Sequence, residues 1–136
     1  MLQIKSKVDN SVIHIIYRQN DTEYGRQELV SANEFLQCSV ISIDKEKNFA
    51  AHKHLDKDIN YTTAKAQEAW VVIKGSVKVD YYDIDNSFLE SQLINQGDIS
   101  ITLHGGHGYE IQNNDTIVYE FKTGPYYGPE LDKTYF

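Results

Sequence analysis

Two histidine pairs and one glutamate carry the chemistry this sequence could perform. The first pair is His52-Lys-His54 and the second His104-Gly-Gly-His107; between them Glu68 opens the run Glu68-Ala-Trp-Val-Val-Ile-Lys74. Imidazole nitrogens and a carboxylate suit a divalent transition metal such as Fe, Mn, Ni, Co or Zn. On a β-strand, residues i and i+2 point to one face about 6.5–7 Å apart, so His52 and His54 can aim at a single point while Lys53 faces away. In a chain with five His such a pair on its own fits a solvated surface strand just as well. Weight comes from the order: a pair, an acid at the head of an apolar run, and a second pair in a glycine-rich turn.

The elements that must position these residues read as short strands. Ten Tyr and five Phe, with many Val and Ile, favour β-structure. Strands are expected near 12–17, 36–43, 49–54, 67–74, 76–82, 89–93, 98–103, 108–112 and 116–122. Turn residues at Gly75, 83–86, 95–97 and 113–115 punctuate them. Helical character is confined to a turn at 31–35 that Ser31 caps. The polar segment 55–65 lacks alternation and is expected to be a long loop, lid or spacer. Pro125 and Pro129 mark an irregular aromatic tail over 123–136 laid on the sheet surface. The expectation is an all-β chain, one domain over 1–136, with motif strands at 48–75 and 97–112.

Composition narrows the function classes. A length of 136 residues suits one hydrophobic core, and 20 acidic against 13 basic residues give a formal charge of -7. That balance argues against nucleic acid as a partner. No apolar run approaches the roughly 20 residues of a membrane span. The alternating charged and apolar residues at the start do not read as a signal peptide. The single Cys excludes an internal disulfide framework and fits a reducing compartment. The expected setting is therefore cytoplasmic, with a small-molecule ligand and neither nucleic acid nor membrane as partner.

The order of these residues resembles the cupin superfamily, with motifs G-x5-H-x-H-x3-4-E-x6-G and G-x5-P-x-G-x2-H-x3-N. His52, His54, Glu68 and Gly75 fit the first, although thirteen residues separate His54 from Glu68 and position 46 is Glu. In the second, Gly97 and Gly105 are in register, whereas Leu103 replaces Pro, one residue is missing before the His, and Ile111 replaces Asn. Phe49-Ala-Ala-His-Lys-His54 and Gly105-Gly-His-Gly108 are similar to phrases in small single-domain bacterial cupins, some of which lie near genes for surface-sugar synthesis. The resemblance implies a cupin-type β-barrel or jelly roll (a double-stranded β-helix), a homodimer, and metal ligands His52, His54, Glu68 and His107. His104 competes for the fourth position and is otherwise a substrate-binding residue.

Strand parity extends the site. Trp70 and Val72 share the face of Glu68, and Tyr109 shares that of His107, while Glu110 faces outwards; Ile99, Ile101 and Leu103 share a face on the preceding strand. Trp70 and Tyr109 are expected to form a flat wall for a sugar or planar ligand. Tyr109 is the candidate catalytic acid or base. Cys38 lies mid-strand and reads as a core thiol, His14 as a packed or partly exposed strand residue, and the acidic run 80–85 as a solvated turn. The resulting functional expectation is a metal-binding cupin acting on a small polar molecule, of sugar isomerase or epimerase type in carbohydrate metabolism. A metal-dependent dioxygenase and a non-catalytic binding module are the alternatives.

Overall fold

The computed structural model describes residues 1–45, 47–55 and 65–136. Among these residues ten strands run in chain order: β1 Leu2–Lys5, β2 Val12–Tyr17, β3 Gly25–Glu28, β4 Ser39–Ser42, β5 Glu68–Lys74, β6 Ser76–Tyr82, β7 Phe88–Asn95, β8 Ile99–Thr102, β9 Gly106–Ile111 and β10 Ile117–Lys122. They form a five-stranded sheet β1-β2-β8-β5-β10, a three-stranded sheet β7-β6-β9 and the hairpin β3-β4. Every pairing is antiparallel. The all-β expectation holds, but the strands form separate sheets rather than one closed barrel. No helix among the described residues is long and apolar enough to cross a membrane.

Two apolar clusters define three layers. Ile15, Tyr17, Ala69, Ile99 and Ile101 on one face of the five-stranded sheet pack with Leu29 and Val30, joined by half-buried Leu36, Cys38 and Val40. On its other face, Ile16 and Val72 meet Val77, Val79, Tyr81 and Ile94 of the three-stranded sheet. Being covered on both sides explains why β2 and β8 are almost continuously buried instead of alternating, as a strand with one wet face would. Alternation survives as a choice between two interiors.

Several expected boundaries move. The expected strand 36–43 shortens to β4, since Leu29 N–H donates to the Cys38 carbonyl in the approach to the hairpin. β1 and β3 were not expected: each is four residues long, too short for alternation to stand out. The expected strand 49–54 is absent. Residues 47–55 carry no regular structure and are exposed, and without a partner ladder nothing fixes alternation there. Position 46 and most of the expected loop 55–65 lie outside the described residues. The tail is irregular as expected, except for one helical turn, Pro129–Asp132, with Pro at its start.

Candidate functional site

Strand register builds the site. His14 on β2 pairs with Thr102 on β8, Thr102 with Glu68 on β5, and Glu68 with Lys122 on β10. Four polar residues thus lie in one row across four strands, on the face turned towards the three-stranded sheet. The next row holds Ile16, Ser100 and Trp70. Opposite the polar row, β9 brings His107 and Tyr109, each paired with β6 through Tyr81 and Val79. Ile99, Ile101 and Leu103 do share a face, but it is the outer-core face; the β8 residues on the site side are Ser100 and Thr102.

Hydrogen bonds join the row to β9. His14 is wholly buried, with Nε2 at 3.0 Å from the Tyr82 carbonyl and Nδ1 at 3.1 Å from Thr102 Oγ1. The same oxygen lies 2.9 Å from His107 Nδ1. His107 Nε2 lies 3.2 Å from Glu68 Oε1. This last contact sets an imidazole nitrogen against a carboxylate oxygen that is buried without an aligned hydrogen-bond partner among the described residues. Lys133 Nζ stands 4.0 Å from the other carboxylate oxygen, Oε2.

Electrostatics follow from this packing. Burial pushes the Glu68 carboxyl up, but His107, Lys133 and Lys122 together outweigh it and hold its pKa below the ordinary value. Burial, then the Glu68 charge, push Tyr109 well above an ordinary phenol. Tyr109 is therefore a hydroxyl donor and not the base half of the expected acid-or-base role. Its Oη is buried without a hydrogen-bond partner among the described residues; the nearby Ser100 hydroxyl is engaged with Tyr81 Oη at 2.8 Å. Burial lowers His14 to about 4, against the opposing pull of its hydrogen bond to the Tyr82 carbonyl.

The structure brings together some of the residues expected to hold a metal and not others. Two ligands about 2.1 Å from one ion at right angles sit about 3.0 Å apart, close to the 3.2 Å between His107 Nε2 and Glu68 Oε1. The buried, partnerless Oε1 and the Thr102 contact behind His107 fit a ligand held from its second nitrogen. The other half is not gathered. His52 and His54 are exposed, with rings edge-to-face at 5.3 Å, and His52 Nδ1 lies 2.9 Å from the Ala50 carbonyl. Among the described residues no three His, Cys, Asp or Glu side chains form a metal-capable group.

Glu68, Thr102, His104, His107 and Tyr109 line a cavity of about 590 Å³ that the tail residues Lys133 and Phe136 border. His104, in the turn before β9, accepts from Lys65 Nζ at 2.9 Å through Nδ1; of the two candidates it is His107 that meets Glu68. Trp70 is not on the cavity wall. It stacks on Tyr109, with centroids 3.8 Å apart and planes 7° from parallel, so each ring covers a face of the other. Cys38 is half-buried against the outer core, and burial, then Glu28, raise its thiol pKa, which suits packing and not nucleophilic attack.

Three participants escaped the sequence reading: Thr102, Lys133 and His14 as a member of the site. Thr102 and Lys133 have no motif, and His14 lies in an apolar run; only register and the path of the tail place them. No family model matches the chain, and neither a curated protein nor a solved structure gives a significant match.

Proposed function

We propose that the chain is a jelly-roll protein of the cupin type whose cavity transfers a proton on a small polar substrate, as a sugar isomerase or epimerase does. The observation that carries this reading is the Glu68–His107 pair, 3.2 Å apart, on the wall of a 590 Å³ cavity that Tyr109 also lines. Two antiparallel sheets packed face to face, with a polar site between their strands, support the jelly roll.

Glu68, held ionised, accepts the proton from a carbon next to a substrate carbonyl, and His107 shares its charge. Tyr109, held protonated, donates a hydrogen bond to the oxygen on which negative charge develops. The cavity bounds the substrate on the side of these residues. The same Glu68 and His107 atoms would hold a divalent transition metal, with His52 and His54 as the resemblance implies; when bound it supplies Lewis-acid polarisation of adjacent substrate oxygens.

The test uses protein purified without chelator or affinity nickel, incubated with free and nucleotide-activated sugars in D2O. Deuterium entering one carbon beside a carbonyl is expected, with a loss of about 10²- to 10⁴-fold in Glu68→Gln. Elemental analysis of the same sample, beside His52→Ala, decides whether metal accompanies the activity. A panel without deuterium incorporation ends the enzyme reading. The binding-module reading then gains from one observation: Lys133 and Phe136 of the tail already border the site.

A further inference from the structure

We propose that His14 and Thr102 are positioning residues that hold His107 as its Nδ1–H tautomer and so present Nε2 to Glu68 and the cavity. The proposal deepens the reading of Glu68 and His107 as the working pair and rests on it.

Donor and acceptor roles fix the order of protons along this chain of contacts. The Tyr82 carbonyl can only accept, so the His14 nitrogen 3.0 Å from it must be an N–H. His14 is wholly enclosed, with the Tyr81 ring tilted against it at 4.8 Å. No carboxylate makes an ion pair with it among the described residues, so an imidazolium there would be buried without a counter-charge. Neutral His14 with hydrogen on Nε2 leaves a lone pair on Nδ1. The Thr102 hydroxyl, 3.1 Å away, has one proton and donates it there. Its oxygen can then only accept from His107 Nδ1, 2.9 Å away, and that nitrogen must carry hydrogen. Every link is set by the one before it, starting at a backbone carbonyl that cannot change role.

Reversing the chain fails on proton count. Were Thr102 to donate to His107, its oxygen would have to accept from His14 Nδ1, and His14 would carry hydrogen on both nitrogens. The direction also has a chemical consequence. A His107 ring with its hydrogen on Nε2 alone would point the lone pair needed by a proton or a cation away into Thr102.

Tautomers are read directly from two-bond proton–nitrogen correlations of ¹⁵N-histidine protein, chelator-treated and held near pH 9, above the ordinary imidazole range. The wild-type spectrum is expected to show Nδ1–H for His107 and Nε2–H for His14. Thr102→Val is expected to release His107 to Nε2–H, and Thr102→Ser to restore Nδ1–H. Where turnover is measurable, Thr102→Val lowers kcat about 10- to 100-fold with KM little changed, and the serine recovers it. Nε2–H on wild-type His107, or an unchanged tautomer in a folded Thr102→Val, overturns the proposal. Because the wild-type spectrum alone is decisive, a valine variant that does not fold leaves the test standing. Lack of turnover on every substrate counts against the enzyme reading and leaves the tautomer result intact.

Discussion

Trp70 lies flat on Tyr109, their centroids 3.8 Å apart, and this contact clamps β5 of one sheet to β9 of the other. Both rings belong to or border the inner core, and Tyr109 alone reaches the cavity. The pair therefore works first as packing between layers and only through Tyr109 as part of the site. Trp70→Ala removes the clamp and leaves a void, a change that costs about 3–5 kcal/mol at a buried aromatic; the half-buried setting of Trp70 puts it at the low end. Urea denaturation measures this loss. A ligand-binding defect without loss of stability would show instead that Trp70 touches the ligand.

Tyr109→Phe separates chemistry from stability. Its hydroxyl is buried without a hydrogen-bond partner among the described residues, so folding gains little from it. Removing an unsatisfied buried hydroxyl is expected to leave stability within about 1 kcal/mol of wild type or to raise it. If the hydroxyl donates to a developing oxyanion, kcat falls about 10²-fold or more. A stability loss well beyond that range, by thermal or urea unfolding, would instead give Tyr109 a structural hydrogen bond.

His14 makes stability depend on acid. Its pKa falls from the ordinary 6.5 to about 4 on folding, because burial disfavours the charged ring; the Tyr82 carbonyl and Asp83 oppose this, while His107 and His104 add to it. Between these two values the unfolded chain binds a proton that the folded chain does not, so stability falls as pH drops through that window. The total is about 3 kcal/mol. The stability difference between wild type and His14→Gln is expected to shrink by that amount from about pH 7 to about pH 4. A pH-independent difference would mean that His14 is charged in the folded state.

Local pattern made much of this visible. β6 lies where alternation and its flanking turns place it, because seven residues in alternating order leave one register for burial, and β2 lies where its apolar run does. The pairing of Glu68 with the glycine-rich turn was legible from order, and His107 rather than His104 meets it. What sequence could not show is which strands become neighbours. The row His14–Thr102–Glu68 joins residues 88 and 34 positions apart along the chain, and nothing local to Thr102 marks it. His52 and His54 show the opposite failure. Their spacing is suited to one strand face, but residues 47–55 form no strand in the described structure.

Two adjacent glycines give a contrast that tests the tail and the histidine chain separately. Gly106 keeps an ordinary backbone, and a Cβ there would stand 2.6 Å from the Phe136 ring. That ring ends a flexible, mostly exposed side chain and can swing aside. Gly106→Ala is therefore expected to cost about 1 kcal/mol or less and to loosen the tail towards proteases. Gly105 has φ +80°, a left-handed conformation that costs an L-residue about 1–2 kcal/mol. A Cβ there would also press on the Tyr82 carbonyl and approach His14 Nε2 to 3.3 Å, the two groups from which the proton order of the site begins. Gly105→Ala is expected to cost about 2 kcal/mol or more and to disturb the His107 ring signals, which Gly106→Ala spares. Equal stability losses in the two variants, or an unchanged His107 spectrum in Gly105→Ala, would uncouple the turn from the site.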